Sequence, residues 1–371
     1  LNKRKFKLEK LQRDLVKKNG FTWAKNIYWG NLKSPFKGHN PDWTAQAALE
    51  FIEEHKDQPF YLHCCSTLLH GPNGEWFKSM MEKELATGEG FLKKPLNLID
   101  RKSVWERIQK AGLTEAEVGY LWMDDSLGLI LDQLDSLGIA DNTIVLFVSD
   151  HGSERKGSLI KTRGTEIPCL IRWPKVIKPG SVSHGLLQNT DFVPTWFELA
   201  KAKIPKGYHI DGKSLAPMFK DPAVSIRKYI YAEQGAARAI KTEAFEYLSI
   251  RYTDEQISEA QSKRADRAYK TLLGLSSGIS RARYFHPDIF SADQLYDLSK
   301  DPNSQKNVAD DSSYAGQLKK MKAILTRTVK ELGPRPYGDF VPGKGTSDAE
   351  ASQKVLDQLA AYHAKENKKK K

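Results

Sequence analysis

The chain has 371 residues, 40% hydrophobic and 10% aromatic, with 58 Lys plus Arg against 46 Asp plus Glu and a formal net charge of +12. That length allows one large domain with an appendage, or two domains each with its own core. No segment approaches the length of a membrane span, and three cysteines cannot form a disulfide framework. Part of the positive excess is terminal and reads as solvated ends; the sharper reading is attraction to a polyanion, sulfated or phosphorylated as readily as nucleic acid, with no recognisable nucleic-acid module.

In chain order, residues 1–40 read as basic and then loop-like, with a short helix over Lys7–Lys18. From Asp42, a candidate cap, a helix runs to about His55 with Ala45, Ala48, Leu49 and Ile52 on one face. Phe60–Cys65 reads as a short apolar strand, and His70 follows its carboxyl end. Residues 73–112 read as an irregular excursion. Thr114 and Glu117 form a capping box for the clearest helix, which Gly138 ends. Its inward face is expected to be Ala116, Tyr120, Met123, Leu127, Ile130, Leu131 and Leu134. Asp124 falls near the edge of that face and Asp125 well away from it, and both read as structural or solvated.

The run Ile144–Val148 is apolar without interruption, as in a strand buried on both sheet faces. It stops at Ser149-Asp150-His151-Gly152. A carboxylate and an imidazole thus stand side by side past a strand's carboxyl end, where ligands collect in open α/β sheets. Both are competent ligands for a divalent ion, and Lys156 adds a cation within loop reach. A strand over Ile167–Arg172 and a helix over Asp191–Ala200 follow, the latter with Pro194 in its first turn. Cys64, Cys65 and Cys169 read as small buried hydrophobes.

Helices and strands in this order predict an α/β fold, a mainly parallel sheet sandwiched by helices. Near residue 222 the character changes. Strands at Tyr229–Ala232, Ala244–Arg251 and 294–298, with helices at 255–272 and 313–331, predict a smaller C-terminal α+β subdomain over 223–333. A polar basic tail occupies 334–371.

Several stretches together resemble the sulfatase family, within the alkaline-phosphatase-like superfamily. They are PFYLHCCSTLLHGP (59–72), Tyr120–Gly152 ending in DNTIVLFVSDHG, Lys156-Gly157 followed by IPCLIRWP (167–174), DFVPTW (191–196), DGKSL (211–215) and QLYDLSKDP (294–302). The likeness covers roughly residues 40–310 in consistent order. It implies an alkaline-phosphatase-like fold and hydrolysis of sulfuric esters at a site holding one calcium ion. It also implies that Asp150 and His151 are metal ligands, that His70 contacts the sulfate and serves the leaving oxygen, and that Lys156 binds a sulfate oxygen. Charge develops on peripheral and leaving oxygens as the S–O bond breaks, and a hard cation with fixed donors stabilises it.

The family's nucleophile is a formylglycine made within a Cys/Ser-x-Pro/Ala-x-Arg motif, and this sequence contains none. Ser277 with Arg281 has only the outer spacing. The family's early metal-binding aspartates and its Lys-His segment are absent too, and the usual glycine pair after the lysine is replaced by Lys161-Thr162-Arg163-Gly164. The losses cluster at one end, so the expectation is a chain lacking its N-terminal part, with unpaired strand edges and little or no catalytic competence. The alternatives are a phosphodiesterase or phosphonate hydrolase of the same superfamily, or a non-catalytic sulfated-glycan-binding protein. A sulfated small molecule or polysaccharide is the expected partner. The family implies a periplasmic or extracellular setting, although the chain begins at Leu1 with no apolar signal sequence.

Overall fold

The computed structural model describes residues 2–30, 32–93, 96–152, 159, 164–234, 237–251, 288 and 291–332. The chain divides into two compact units, Leu1–Ile144 with Trp173–Lys175, and Val145–Arg172 with Val176–Lys371. The four-stranded sheet that follows residue 222 belongs to the second unit.

The first unit is helical. Helix α1 spans Asn2–Lys18, longer than expected, and α2 spans Pro41–His55. Helix α2 buries Ala45, Ala47, Ala48, Phe51 and Ile52. Asp42 is not its cap. It is fully buried, accepts the Ile99 N–H at 2.9 Å and pairs with Arg101 at 2.9 Å, so it pins the next layer to the helix. The 73–112 region is more ordered than its composition implied. It holds α3 (Gly74–Met81), the short hairpin β1 (Ala86–Thr87) and β2 (Gly90–Phe91), and α4 (Arg101–Lys110).

The Thr114–Glu117 capping box is present and opens a single tight turn before α5 (Val118–Ser136), and Gly138 ends the helix with φ +68°. The helix is rolled from its expected face. Val118, Gly119, Trp122 and Leu134 are buried whereas Tyr120 is 52% exposed. Trp122 is fully buried in contact with a cluster drawn from α3 and α4. Leu68, Trp76, Met80, Ile99, Val104, Ile108, Val118 and Trp122 form one core cluster. Burying side chains as large as Trp76 and Trp122 stabilises by several kcal/mol each, since their truncation typically costs about 3–5 kcal/mol.

In the second unit, β3 (Val145–Val148) pairs with β4 (Cys169–Arg172), Val145 opposite Arg172 and Val148 opposite Cys169. Helices α6 (Phe192–Leu199) and α7 (Ala216–Lys220) follow, and then four strands in sequential order. These are β5 (Ile230–Gln234), β6 (Ala237–Lys241), β7 (Phe245–Ile250) and β8 (Asp293–Asp297). Helix α8 (Ala315–Leu332) covers the sheet. Its Met321 and Leu325 meet Ile240, Tyr247 and Leu295 in a second core cluster, which is the expected α+β layer. The helix expected at 255–272 and the tail at 334–371 lie outside the described residues.

The strand pairing differs from the parallel arrangement that the sequence predicts. Every ladder among the described residues is antiparallel. After β3 the chain turns back, and the Ser149 N–H reaches the Pro168 carbonyl at 3.4 Å while the Gly152 N–H reaches that of Gly164 at 3.0 Å. That return brings β4 in against β3 in the opposite sense. The expected strand Phe60–Cys65 forms no ladder among the described residues. A two-stranded sheet also cannot bury an apolar run on both faces. Ile144 to Phe147 are accordingly half-buried, and Val148 is 37% and Leu170 62% exposed.

Candidate active site

His70 sits on a tight turn seated directly on the first core cluster. The Ser66 hydroxyl accepts the Leu68 N–H at 3.1 Å, the Thr67 carbonyl accepts the His70 N–H at 3.0 Å, and Leu68 is buried in the cluster. The Trp76 indole N–H, from α3, donates to the His70 carbonyl at 2.9 Å. The backbone is thus held by buried groups while the imidazole is exposed. Its Nδ1 lies 3.0 Å from the Gly71 carbonyl. A carbonyl only accepts, so Nδ1 carries the hydrogen and Nε2 is the nitrogen presented to a ligand.

Sequence reasoning passed over His39, which packs beneath the same turn. It is buried, 8% exposed, and its Nδ1 is 3.1 Å from the Thr67 hydroxyl. Burial lowers its pKa to about 4, with a further push from the neighbouring His70 charge, partly opposed by Glu75. No sequence period marks this residue. Its position before a proline-initiated helix was the one available signal.

In the second unit, Asp150 and His151 stand side by side past the end of β3. Asp150 Oδ2 is 3.3 Å from His151 Nε2, and His151 Nδ1 is 2.7 Å from the Gly152 carbonyl. That carbonyl sets the tautomer, so in the neutral ring Nε2 and Oδ2 turn lone pairs toward each other. A proton or a metal cation between them satisfies both. The carboxylate is 83% exposed and open to an ion. The pair therefore fits part of a divalent site but does not close one. Calcium takes about six to eight oxygen ligands, and among the described residues no group of three or more His, Cys, Asp or Glu gathers to hold a metal.

The base of the loop beyond Gly152 is anchored. The Lys241 ammonium donates to the Thr165 hydroxyl and pairs with Glu246 at 3.3 Å, and Glu246 accepts from Ser304 at 2.9 Å. All three sheet-side partners are buried. Lys156 lies outside the described residues, as do Lys161–Arg163, Ser277 and Arg281.

The cysteines correct an expectation. Cys64 and Cys65 are exposed, and Cys169 is half-buried on β4. No strand pairs with Phe60–Cys65 among the described residues, and burial of the Cys64 thiol raises its pKa to about 11. A hydrogen bond from His63 lowers the Cys65 pKa. The family motifs DFVPTW and DGKSL have a structural use. Asp191, fully buried, accepts the Gln188 and Lys213 N–H groups at 2.8 Å each and pairs with Arg227.

The sulfatase profile matches residues 5–202, and the profile of the C-terminal region of N-sulphoglucosamine sulphohydrolase matches residues 156–256. The likeness therefore begins well before residue 40, where the sequence motifs had placed its start. An ulvan-active sulfatase of Formosa agariphila is 30% identical over 209 residues, covering 52% of this chain and 37% of that protein. An N-acetylglucosamine-6-O-sulfatase of Bacteroides thetaiotaomicron is 27% identical over 218 residues, covering 57% and 34%. The chain thus spans little more than a third of these curated relatives.

Among solved structures, Ps i-CgsB superposes with TM-score 0.54 at 17% identity, covering 95% of this chain and 67% of that one. A Bacteroides thetaiotaomicron protein of multiple-glycosaminoglycan metabolism superposes with TM-score 0.53 at 21% identity, covering 78% and 54%. These likenesses establish the alkaline-phosphatase-like α/β fold with its C-terminal α+β subdomain. With a profile matched across more than half its length, the chain belongs to the sulfatase family.

Proposed function

We propose that this chain carries the sulfate-ester-binding part of a sulfuric ester hydrolase. The observation that carries the reading is His70, whose backbone is clamped on a buried core while its Nε2 faces outward. In that tautomer the neutral ring accepts a proton. The protonated ring donates one to a sulfate oxygen or to the alkoxide leaving with the alcohol. Lys156 would hold a second sulfate oxygen, and its fixed charge offsets the negative charge that grows on the peripheral oxygens. Asp150 and His151 would supply two donors to a calcium ion, which provides Lewis-acid stabilisation of the ester when bound. The substrate class is a sulfated polysaccharide or its fragments, in keeping with the relatives named for ulvan and for N-acetylglucosamine-6-O-sulfate and with the net positive charge.

None of Cys64, Cys65 or Cys169 stands in the nucleophile motif, so the 371-residue chain alone is expected to bind sulfate esters without turning them over. The test is calorimetric titration with an aryl sulfate and with the matching aryl phosphate. Tighter binding of the sulfate, with no alcohol released, supports the reading. Preferential binding of the phosphate, or rapid release of the alcohol by the chain alone, contradicts it.

A further inference from the structure

Helix α1 carries eight of the chain's Lys and Arg residues against two acids, so its 17 residues hold half of the net charge of +12. Its inner face is fixed to the first unit. Asn2 exchanges hydrogen bonds with the Phe91 backbone at 3.2 and 3.3 Å. Lys5 lies over the rings of Trp29 and Phe36 at 4.6 and 4.5 Å, and Glu9 accepts the Ile27 N–H at 3.2 Å. These three residues stand at i, i+3 and i+7, one stripe of the helix. With that stripe held against the fold, Lys3, Arg4, Lys7, Lys10, Lys17 and Lys18 all face solvent.

The helix's own acids do not offset that face. Glu9 is fully buried and pairs with Arg13 at 2.7 Å, and Asp14 pairs with Lys10 at 2.9 Å. One exposed carboxylate is thus set against six exposed cations. From Lys3 to Lys18 the ridge runs about 22 Å at 1.5 Å per residue. Its exposed apolar groups stand at the margins. At 3.6 residues per turn, Lys3, Lys7, Lys10, Lys17 and Lys18 fill one sector of the helix. Leu11 and Leu15 lie beyond one edge of that sector, and Phe6, packed on Arg13, lies beyond the other. A helix that inserts into a lipid surface gathers its apolar groups on the outward face. Here cations occupy the centre, which fits a polyanion in water.

We propose that the outward ridge of α1 is a binding surface for a sulfated polysaccharide, holding the polymer through several of its sulfates at once. The choice of a sulfated polymer rests on the sulfatase reading; the ridge itself does not, since none of its residues is assigned to the ester. A single exposed ion pair is weak. Affinity therefore comes from several pairs engaged together on one rigid helix, and it falls as salt screens them.

The test titrates the full 371-residue chain with dextran sulfate, with unsulfated dextran and with vesicles of phosphatidylcholine and phosphatidylserine, at a low and a high ionic strength. Dextran sulfate is expected to bind, more weakly at the higher salt, and unsulfated dextran is not. In Arg4→Gln/Lys7→Gln/Lys18→Gln, exposed changes that leave folding intact, the affinity for dextran sulfate should fall by about three- to hundredfold. Lys78→Gln/Lys83→Gln/Lys110→Gln removes the same charge from exposed positions elsewhere in the first unit, and its loss should be much smaller. Should the first variant fail to fold, Lys10→Gln/Lys17→Gln reads the same ridge. No binding of dextran sulfate, equal losses in the ridge and control variants, or no loss in the ridge variant overturns the proposal. So does unsulfated dextran binding as tightly, and so does binding of the anionic vesicles alone, which would make α1 a membrane contact. An aryl sulfate titrated in parallel separates this proposal from the reading of His70, because its affinity should be the same in the ridge variant and the unaltered chain. If the aryl sulfate binds neither, the sulfatase reading fails, while the dextran sulfate comparison still decides the ridge.

Discussion

The Trp76 indole that donates to the His70 carbonyl packs against Gly119, and there is no room for a side chain between them. A Cβ built at Gly119 would lie 2.5 Å from Trp76 Cδ2 and Cε3. Trp76 is 1% exposed within the core, so it has nowhere to retreat. The glycine of α5 therefore governs the turn that carries His70, although it lies 49 positions along the chain from it.

Gly119→Ala is expected to cost about 1–3 kcal/mol by overpacking. Gly128→Ala in the same helix, where a Cβ meets nothing within 4 Å, is expected to gain up to about 1 kcal/mol from helix propensity. Urea denaturation followed by tryptophan fluorescence measures both. Opposite signs confirm that the close approach, rather than the helix, sets the cost.

Acid should weaken the fold through His39. Its pKa is about 4 in the folded chain against an ordinary 6.5. Between these values the unfolded chain binds a proton that the folded chain does not, so stability falls as the pH drops through that window and is complete above it. The full effect is about 3 kcal/mol. Comparing urea midpoints at pH ~7 and pH ~5 should show a smaller acid loss in His39→Gln than in the unaltered chain.

Asp191 and Gly212 should be as critical as any core residue. Removing the buried carboxylate in Asp191→Ala leaves Arg227 uncompensated, at a cost of about 3–5 kcal/mol. A Cβ at Gly212 would fall 2.0 Å from the Thr190 carbonyl oxygen, a backbone atom with little freedom to move. Both variants are expected to lower the thermal midpoint sharply. Because they disturb one junction, their combined cost should be less than additive, which a double-mutant cycle would show.

Local signals were legible in the sequence where the chain speaks for itself. The Thr114 capping box, the Gly138 stop and the helix expected over 313–331 all rest on neighbours a turn or so away. Pairing was not legible. An uninterrupted run such as Ile144–Val148 identifies a strand, but parallel or antiparallel partnership depends on where residues 149–168 carry the chain. Asp42 shows a related limit, since a helix-start aspartate reads as a cap until Ile99 and Arg101 arrive from far along the chain. His39 was invisible for the same reason, its partners being 28 to 40 residues away. The Asp150–His151 pair was legible because its members are adjacent.

The central claim is that His70 and Lys156 grip a sulfate ester. Its most direct measurement is the dissociation constant of an aryl sulfate for the unaltered chain, for His70→Ala and for Lys156→Ala, at fixed ionic strength. Loss of a charge-assisted contact is worth about 1.5–3 kcal/mol, so each substitution should weaken binding by roughly 10- to 150-fold with folding intact. Equal affinity in all three chains would contradict the account.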